Sequence, residues 1–173
     1  MEIPRQQKEV LEAMGVALLM LQTAEKVIKL CTTFVLQKSS PLTIDILQQQ
    51  EESERTKTIG YFLSELRKRV SVHESFDSVL RDFLKNRNDF IHDLSRVPKW
   101  DFHTGETSIE AKRFVFALIQ QTETVLKVFS GLILAWQEQI GMSEPPRPDH
   151  DWFAEVERKY KPLVNDLFNE RDT

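Results

Sequence analysis

Residues 10–21, Val-Leu-Glu-Ala-Met-Gly-Val-Ala-Leu-Leu-Met-Leu, decide the fold. Their apolar positions recur at spacings of three and four, the period of one helix face. The same spacing runs on through Ala24, Val27, Ile28, Cys31, Phe34 and Val35, so the reading is one helix from about Arg5 to Lys38. Gly15 is an internal weakness that a helix of this length tolerates. The densest apolar run, Val16 to Leu21, is far too short to span a bilayer.

Working outward, Ser39-Ser40-Pro41 ends this helix, and Ser40 with Pro41 starts a short one over Leu42 to about Gln50. Polar residues to Arg55 read as a loop. A further helix spans about Thr58 to Val70, with Ile59, Phe62, Leu63 and Leu66 inward and Arg67-Lys68-Arg69 at its dipole-favoured end. Ser71 and Glu74 have capping-box spacing and predict a helix over about Val72 to Ser95. Its stripe is Phe76, Leu80, Phe83, Arg87, Phe90/Ile91 and Leu94, and Pro98 stops it.

A loop with Trp100, Phe102 and His103 follows, and a second capping box, Thr107 with Glu110, opens a long helix to about Ile140. Val115, Leu118, Ile119, Val125, Leu126, Phe129, Leu132, Ile133 and Trp136 form its apolar face, and Gly141 is a natural stop. The expected architecture is all-α, an up-and-down bundle of four to five main helices over residues 1–142. A Pro-rich linker, 143–150, leads to a C-terminal helical segment, 151–173, that packs on the bundle or on a partner subunit. Pro162 is expected to kink or split that segment.

Composition narrows the function. The net charge of −4 argues against a protein that coats nucleic acid non-specifically. From Glu65 to Lys99, however, eight Lys/Arg face six Asp/Glu, so the acidic excess lies elsewhere. One cysteine, Cys31, excludes an intramolecular disulfide and reads as a buried thiol in a reducing compartment. The first residues lack a signal-peptide pattern, and a soluble cytoplasmic protein with no membrane association is the expectation. Four scattered histidines give no spaced metal set, and no phosphate-binding loop, dinucleotide fingerprint or nucleophile elbow is present. No cofactor is expected.

The chemistry concentrates in Arg87-Asn88-Asp89-Phe90-Ile91-His92. An arginine within a row of Phe and Leu is either paired or used. Asp89, Asp93, Glu65 and Glu110 are available to pair with it, and a histidine on a polar helix face is commonly just solvated. Used together, the two suit a phosphodiester: the guanidinium holds negative charge and the imidazole moves a proton. Asn88 can hold a phosphate oxygen or orient the imidazole. On an ideal helix Arg87 and His92 point roughly 140° apart, so direct contact within one chain is not expected. Asn88 and His92 share a face, and Arg87 is long enough to swing toward a common groove. An isologous dimer would bring two arginines and two histidines together. Lys85, Arg96, Lys99 and His103 are candidate substrate-binding residues, with Trp100 and Phe102 available to stack on bases.

The order apolar run, Arg87-Asn88, three residues, His92 resembles the signature of HEPN domains, an arginine and a histidine separated by four to six residues. A polar residue commonly follows that arginine, as Asn88 does. The segment 79–86 resembles the stretch before the motif in bacterial members, and Thr58-Ile59-Gly60-Tyr61-Phe62-Leu63 resembles a T-L-G-x-L run on their preceding helix. The resemblance covers residues 5–140. It implies an all-α, metal-independent endoribonuclease whose site forms across a homodimer. RNA is the implied substrate, an antitoxin or regulatory protein a further partner, and toxin–antitoxin or antiviral defence the setting. Arg87, Asn88 and His92 would be catalytic. Other members are non-catalytic modules that bind protein or RNA. In one toxin branch a tyrosine two residues after the histidine is modified by the antitoxin. Leu94 stands there in this chain, which argues against that route and against a nucleotidyltransferase antitoxin.

Overall fold

The computed structural model describes residues 5–35, 57–97, 100, 108–142 and 151–170. The short helix expected over Leu42–Gln50, the loop residues 101–107 and the linker 143–150 lie outside them. The chain is an all-α helical bundle with one two-stranded ribbon among the described residues. Its helices are α1 (Arg5–Leu30), α2 (Ile59–Arg69), α3 (Glu74–His92), α4 (Ser108–Gln139), α5 (Asp151–Glu155) and α6 (Lys161–Leu167). Wide π-type turns continue α1 over Cys31–Val35 and join α5 to α6 over Val156–Tyr160. Strands β1 (Val70–Val72) and β2 (Phe168–Glu170) form the ribbon.

Two compact units divide the chain: residues 1–24 with 74–127, and residues 25–73 with 128–173. The division cuts through α1 and α4. The first unit holds α3 and the motif. Its core is Val10, Ala13, Ala17, Leu21 and Ala24 of α1, Phe76, Leu80, Phe83 and Phe90 of α3, and Ala111, Val115, Leu118, Val125 and Leu126 of α4. Polar ties reinforce it: Lys112 pairs with Glu9 at 2.8 Å, and the Asn86 amide donates to Gln121 Oε1 at 2.9 Å. Leu11 and Leu18, expected inward, are exposed, as are Val16 and Leu19. The buried face of α1 is a narrow row of small and medium residues, so its outer apolar side is left uncovered by the described residues.

In the second unit Ile28, Cys31, Ile59, Phe62, Leu63, Leu66, Phe129, Leu132, Val156, Val164 and Phe168 are buried. Thr58 caps α2, its side chain accepting from the Tyr61 N–H at 3.4 Å. The widened turn after α1 leaves the Thr32 carbonyl to accept from the Arg69 guanidinium. Gly131 is small for a reason: a Cβ there would sit 2.9 Å from the Tyr160 carbonyl carbon, so the backbone of the C-terminal segment rests directly on α4. Pro162 stands at the start of α6, after the π-type turn, as expected of a residue that lacks an N–H.

The Ser71–Glu74 capping box does not form. Ser71 lies in β1 and pairs with Asn169 of β2, and α3 begins only at Glu74. The His73 N–H donates to the Leu167 carbonyl at 2.9 Å and closes the ribbon. A partner nearly a hundred residues away overrides the local signal. At the other end, α4 stops at Gly141, which takes φ +66°, while the Met142 and Gly141 N–H groups bond the Gln137 and Glu138 carbonyls at 3.0 and 3.1 Å. Glycine reaches this left-handed conformation without the Cβ penalty.

Phe83 is fully buried, so Phe83→Ala should cost about 3–5 kcal/mol in a chemical-denaturation titration. Gly131→Ala should destabilise by roughly 1–3 kcal/mol, because backbone rather than a flexible side chain must yield.

Candidate active site at the end of α3

The apolar stripe of α3 sets where its polar side chains point. Phe76, Leu80, Phe83 and Phe90 are buried, which leaves Asn88 and His92 exposed and Arg87 half-buried at the border. From that border the guanidinium reaches along the surface. Arg87 Nη1 donates to Asn88 Oδ1 at 3.0 Å and lies 3.3 Å from His92 Nε2. The ideal-helix expectation that Arg87 and His92 do not touch within one chain is therefore corrected. The five-residue offset separates their Cα–Cβ directions, but a long arginine stem spans the difference, and His92 is the last residue of the helix. A guanidinium has donors only, so the Nε2 lone pair accepts in this arrangement.

Each carboxylate considered as a partner for Arg87 holds another cation. Asp89 pairs with Lys85 at 3.4 Å, Asp93 with Arg96 at 3.1 Å, Glu65 with Lys68 at 2.6 Å and Glu110 with Arg113 at 3.0 Å. Lys85 and Arg96, expected to bind substrate, are thus exposed cations with a local counter-ion. Lys99 and His103 lie outside the described residues. His73 sits between β1 and α3, away from the motif in sequence and exposed.

Asp93, read from the sequence only as a possible partner for Arg87, has a capping role that sequence reasoning missed. Directly after His92, its carboxylate accepts from the Ser95 N–H at 3.1 Å, from the Ser95 hydroxyl and from Arg96 Nε at 3.1 Å. It thereby caps the short 3₁₀ turn Leu94–Arg96 and ends α3 at His92. The hydrogen bonds from Ser95, with the Arg96 charge beside them, hold its carboxyl below its usual value of 3.8. The Asp-x-Ser spacing was the available signal, since a carboxylate commonly bonds the backbone two residues on. Asn86 was also missed: one residue before Arg87, it ties α3 to Gln121 of α4.

Cys31 offers no competing chemistry. It is buried and donates to the Phe129 carbonyl at 3.5 Å, and burial pushes its thiol well above the ordinary range, away from the reactive thiolate. Among the described residues no three His, Cys, Asp or Glu side chains are grouped to hold a metal ion. No helix among them is long and apolar enough to cross a membrane. No protein-family model, curated protein or solved structure matches this chain.

Because the folded state lowers the Asp93 value, its contribution is present above about pH 3.8 and is lost as pH falls through the lower folded value. A carbon-detected NMR titration should place its midpoint below 3.8. The stability difference between wild type and Asp93→Ala should shrink in acid.

Proposed function

We propose that this chain is a metal-independent endoribonuclease of HEPN type that works as a homodimer. The observation that carries this reading is the convergence of the Arg87 guanidinium, the Asn88 amide and the His92 imidazole on one exposed spot, at 3.0 and 3.3 Å. The residue types match the reaction. His92 Nε2 takes the proton of an RNA 2′-hydroxyl, and the 2′-oxygen attacks the neighbouring phosphorus. Negative charge accumulates on the phosphorane, and Arg87 stabilises it with a fixed fork of donors. The bond to the 5′-oxygen then breaks, and an imidazolium protonates the leaving group. The products are a 2′,3′-cyclic phosphate and a 5′-hydroxyl.

A second copy of α3 across a two-fold axis supplies the second histidine, so one imidazole removes a proton while the other delivers one. Lys85, Arg96, Lys99 and His103 would contact flanking phosphates. A toxin or phage-defence role in the cytoplasm, controlled by a regulatory protein, is the setting this reading entails.

A non-catalytic helical module that binds protein or RNA is the second reading. The net charge of −4 favours it, as do the counter-ions on Lys85 and Arg96.

Purified protein incubated with total RNA in excess EDTA should generate new 5′-hydroxyl and cyclic-phosphate ends. Arg87→Ala and His92→Ala should each reduce cleavage by about 10²–10⁴-fold. Sedimentation should show a dimer for all three proteins. A folded, dimeric wild type that leaves RNA intact would favour the binding module, and equal fragmentation by all three would indicate a contaminant.

A further inference from the structure

We propose that the outer side of α1 is a self-association surface. A second copy of this chain lays its own α1 there, antiparallel, across a two-fold axis at Leu19. The contact does not depend on the nuclease reading, and it uses α1 rather than the motif side of α3. It therefore pairs whatever unit the chain already forms.

α1 is one continuous helix that turns Val10, Ala13, Ala17, Leu21 and Ala24 inward. Successive residues are rotated by about 100°, so Glu12, Gly15, Val16, Leu19, Thr23 and Lys26 lie on the opposite side, and all six are exposed. Leu19 is 66% exposed, the highest value for a large apolar side chain among the described residues. One exposed leucine is ordinary. The residues around this one, however, are matched about it. Glu12 and Lys26 stand seven positions before and after Leu19, and Gly15 and Thr23 stand four before and after. A two-fold axis at Leu19 sets Glu12 of each copy against Lys26 of the other, and Gly15 against Thr23. Symmetry makes each pair twice, whereas a parallel pairing in register would set like charges together. Lys26 has no carboxylate partner among the described residues. Glu12 meets Lys8 at 3.9 Å between two exposed side chains, an arrangement that stabilises little.

The shape of the face agrees with its charges. The Thr23 hydroxyl donates to the Leu19 carbonyl at 3.0 Å, so its polar group is satisfied within α1 before anything docks. Nothing lies within 4 Å of the place a Gly15 Cβ would occupy, and Gly15 does not have a positive φ. Gly131 lacks a side chain because the C-terminal backbone fills that space; Gly15 has no such reason inside its own chain, and a mid-helix glycine weakens the helix. On this face it leaves a gap beside Leu19 into which a facing helix can pack knob into hole. One side of one helix is smaller than the roughly 800 Å² per partner of a stable complex, so the association is reversible and rises with concentration.

Sedimentation velocity over a series of protein concentrations at low salt tests this. The mass should double as concentration rises, whether the starting unit is a monomer or the dimer proposed above. Leu19→Asp should weaken the doubling by about 100-fold or more, because two leucines lose their burial. Glu12→Lys and Lys26→Glu should each weaken it by roughly tenfold, and the two together should restore it. Gly15→Leu should suppress the doubling without lowering the thermal midpoint, since the added side chain fits the single copy and only the facing helix excludes it. A short bismaleimide should join Leu19→Cys copies to each other, with Cys31 buried and out of reach. A mass that stays constant at every concentration assigns the face to a different protein and overturns the proposal. Doubling that ignores Leu19→Asp, a charge exchange no better than its single parents, or no crosslink through Leu19→Cys overturns it as well. RNA cleavage is read separately, so the nuclease reading and the α1 pairing stand or fall independently.

Discussion

The burial of Phe76, Leu80, Phe83 and Phe90 along one side of α3 is the constraint on which the site depends. A helix turns about 100° per residue, so fixing four side chains inward fixes the direction of every other side chain on the element. Asn88 and His92 then have only the surface to occupy, and Arg87 falls on the half-buried border. The first unit holds this rotation with apolar burial and with a polar tie, the Asn86–Gln121 hydrogen bond one residue before the motif. Rotating α3 by even one residue would bury an imidazole or a guanidinium and expose a phenylalanine.

Both ends of α3 are set by contacts outside the helix. At its start, β1 pairs with β2, so the chain enters the helix from a short ribbon rather than from a cap. At its end, Asp93 gathers Ser95 and Arg96 and turns the chain immediately after His92. The imidazole therefore stands at a helix terminus, within 3.3 Å of the Arg87 guanidinium on the same helix. Placing the histidine at the terminus also leaves it open to solvent.

The sequence made the helices legible because their signals are periodic and local. Thr58 and Gly141 marked ends within a residue of those observed, since a side-chain cap and a left-handed glycine act on their own turn. Pro162 likewise separated α5 from α6. The failures involve partners distant in the chain. Ser71 and Glu74 satisfy a capping rule, but Val70–Val72 finds a strand partner at Phe168–Glu170. Leu11 and Leu18 carry the right spacing, as Ala17 and Ala24 do, yet only the two alanines are buried, and Ala13 takes a core position beside them.

What the sequence by itself determined is the helical class, most of the element boundaries, and the presence of an arginine, an asparagine and a histidine on one amphipathic element. Each follows from the residue period and from the chemistry of single side chains. Tertiary structure alone decided that Arg87 reaches His92, that the carboxylates proposed to neutralise it hold other cations, and that α3 ends at the histidine. Those outcomes depend on side-chain reach, on competition between ion pairs and on the Asp93 cap. All three are set by distances in space, which the spacing of residues along a chain does not encode.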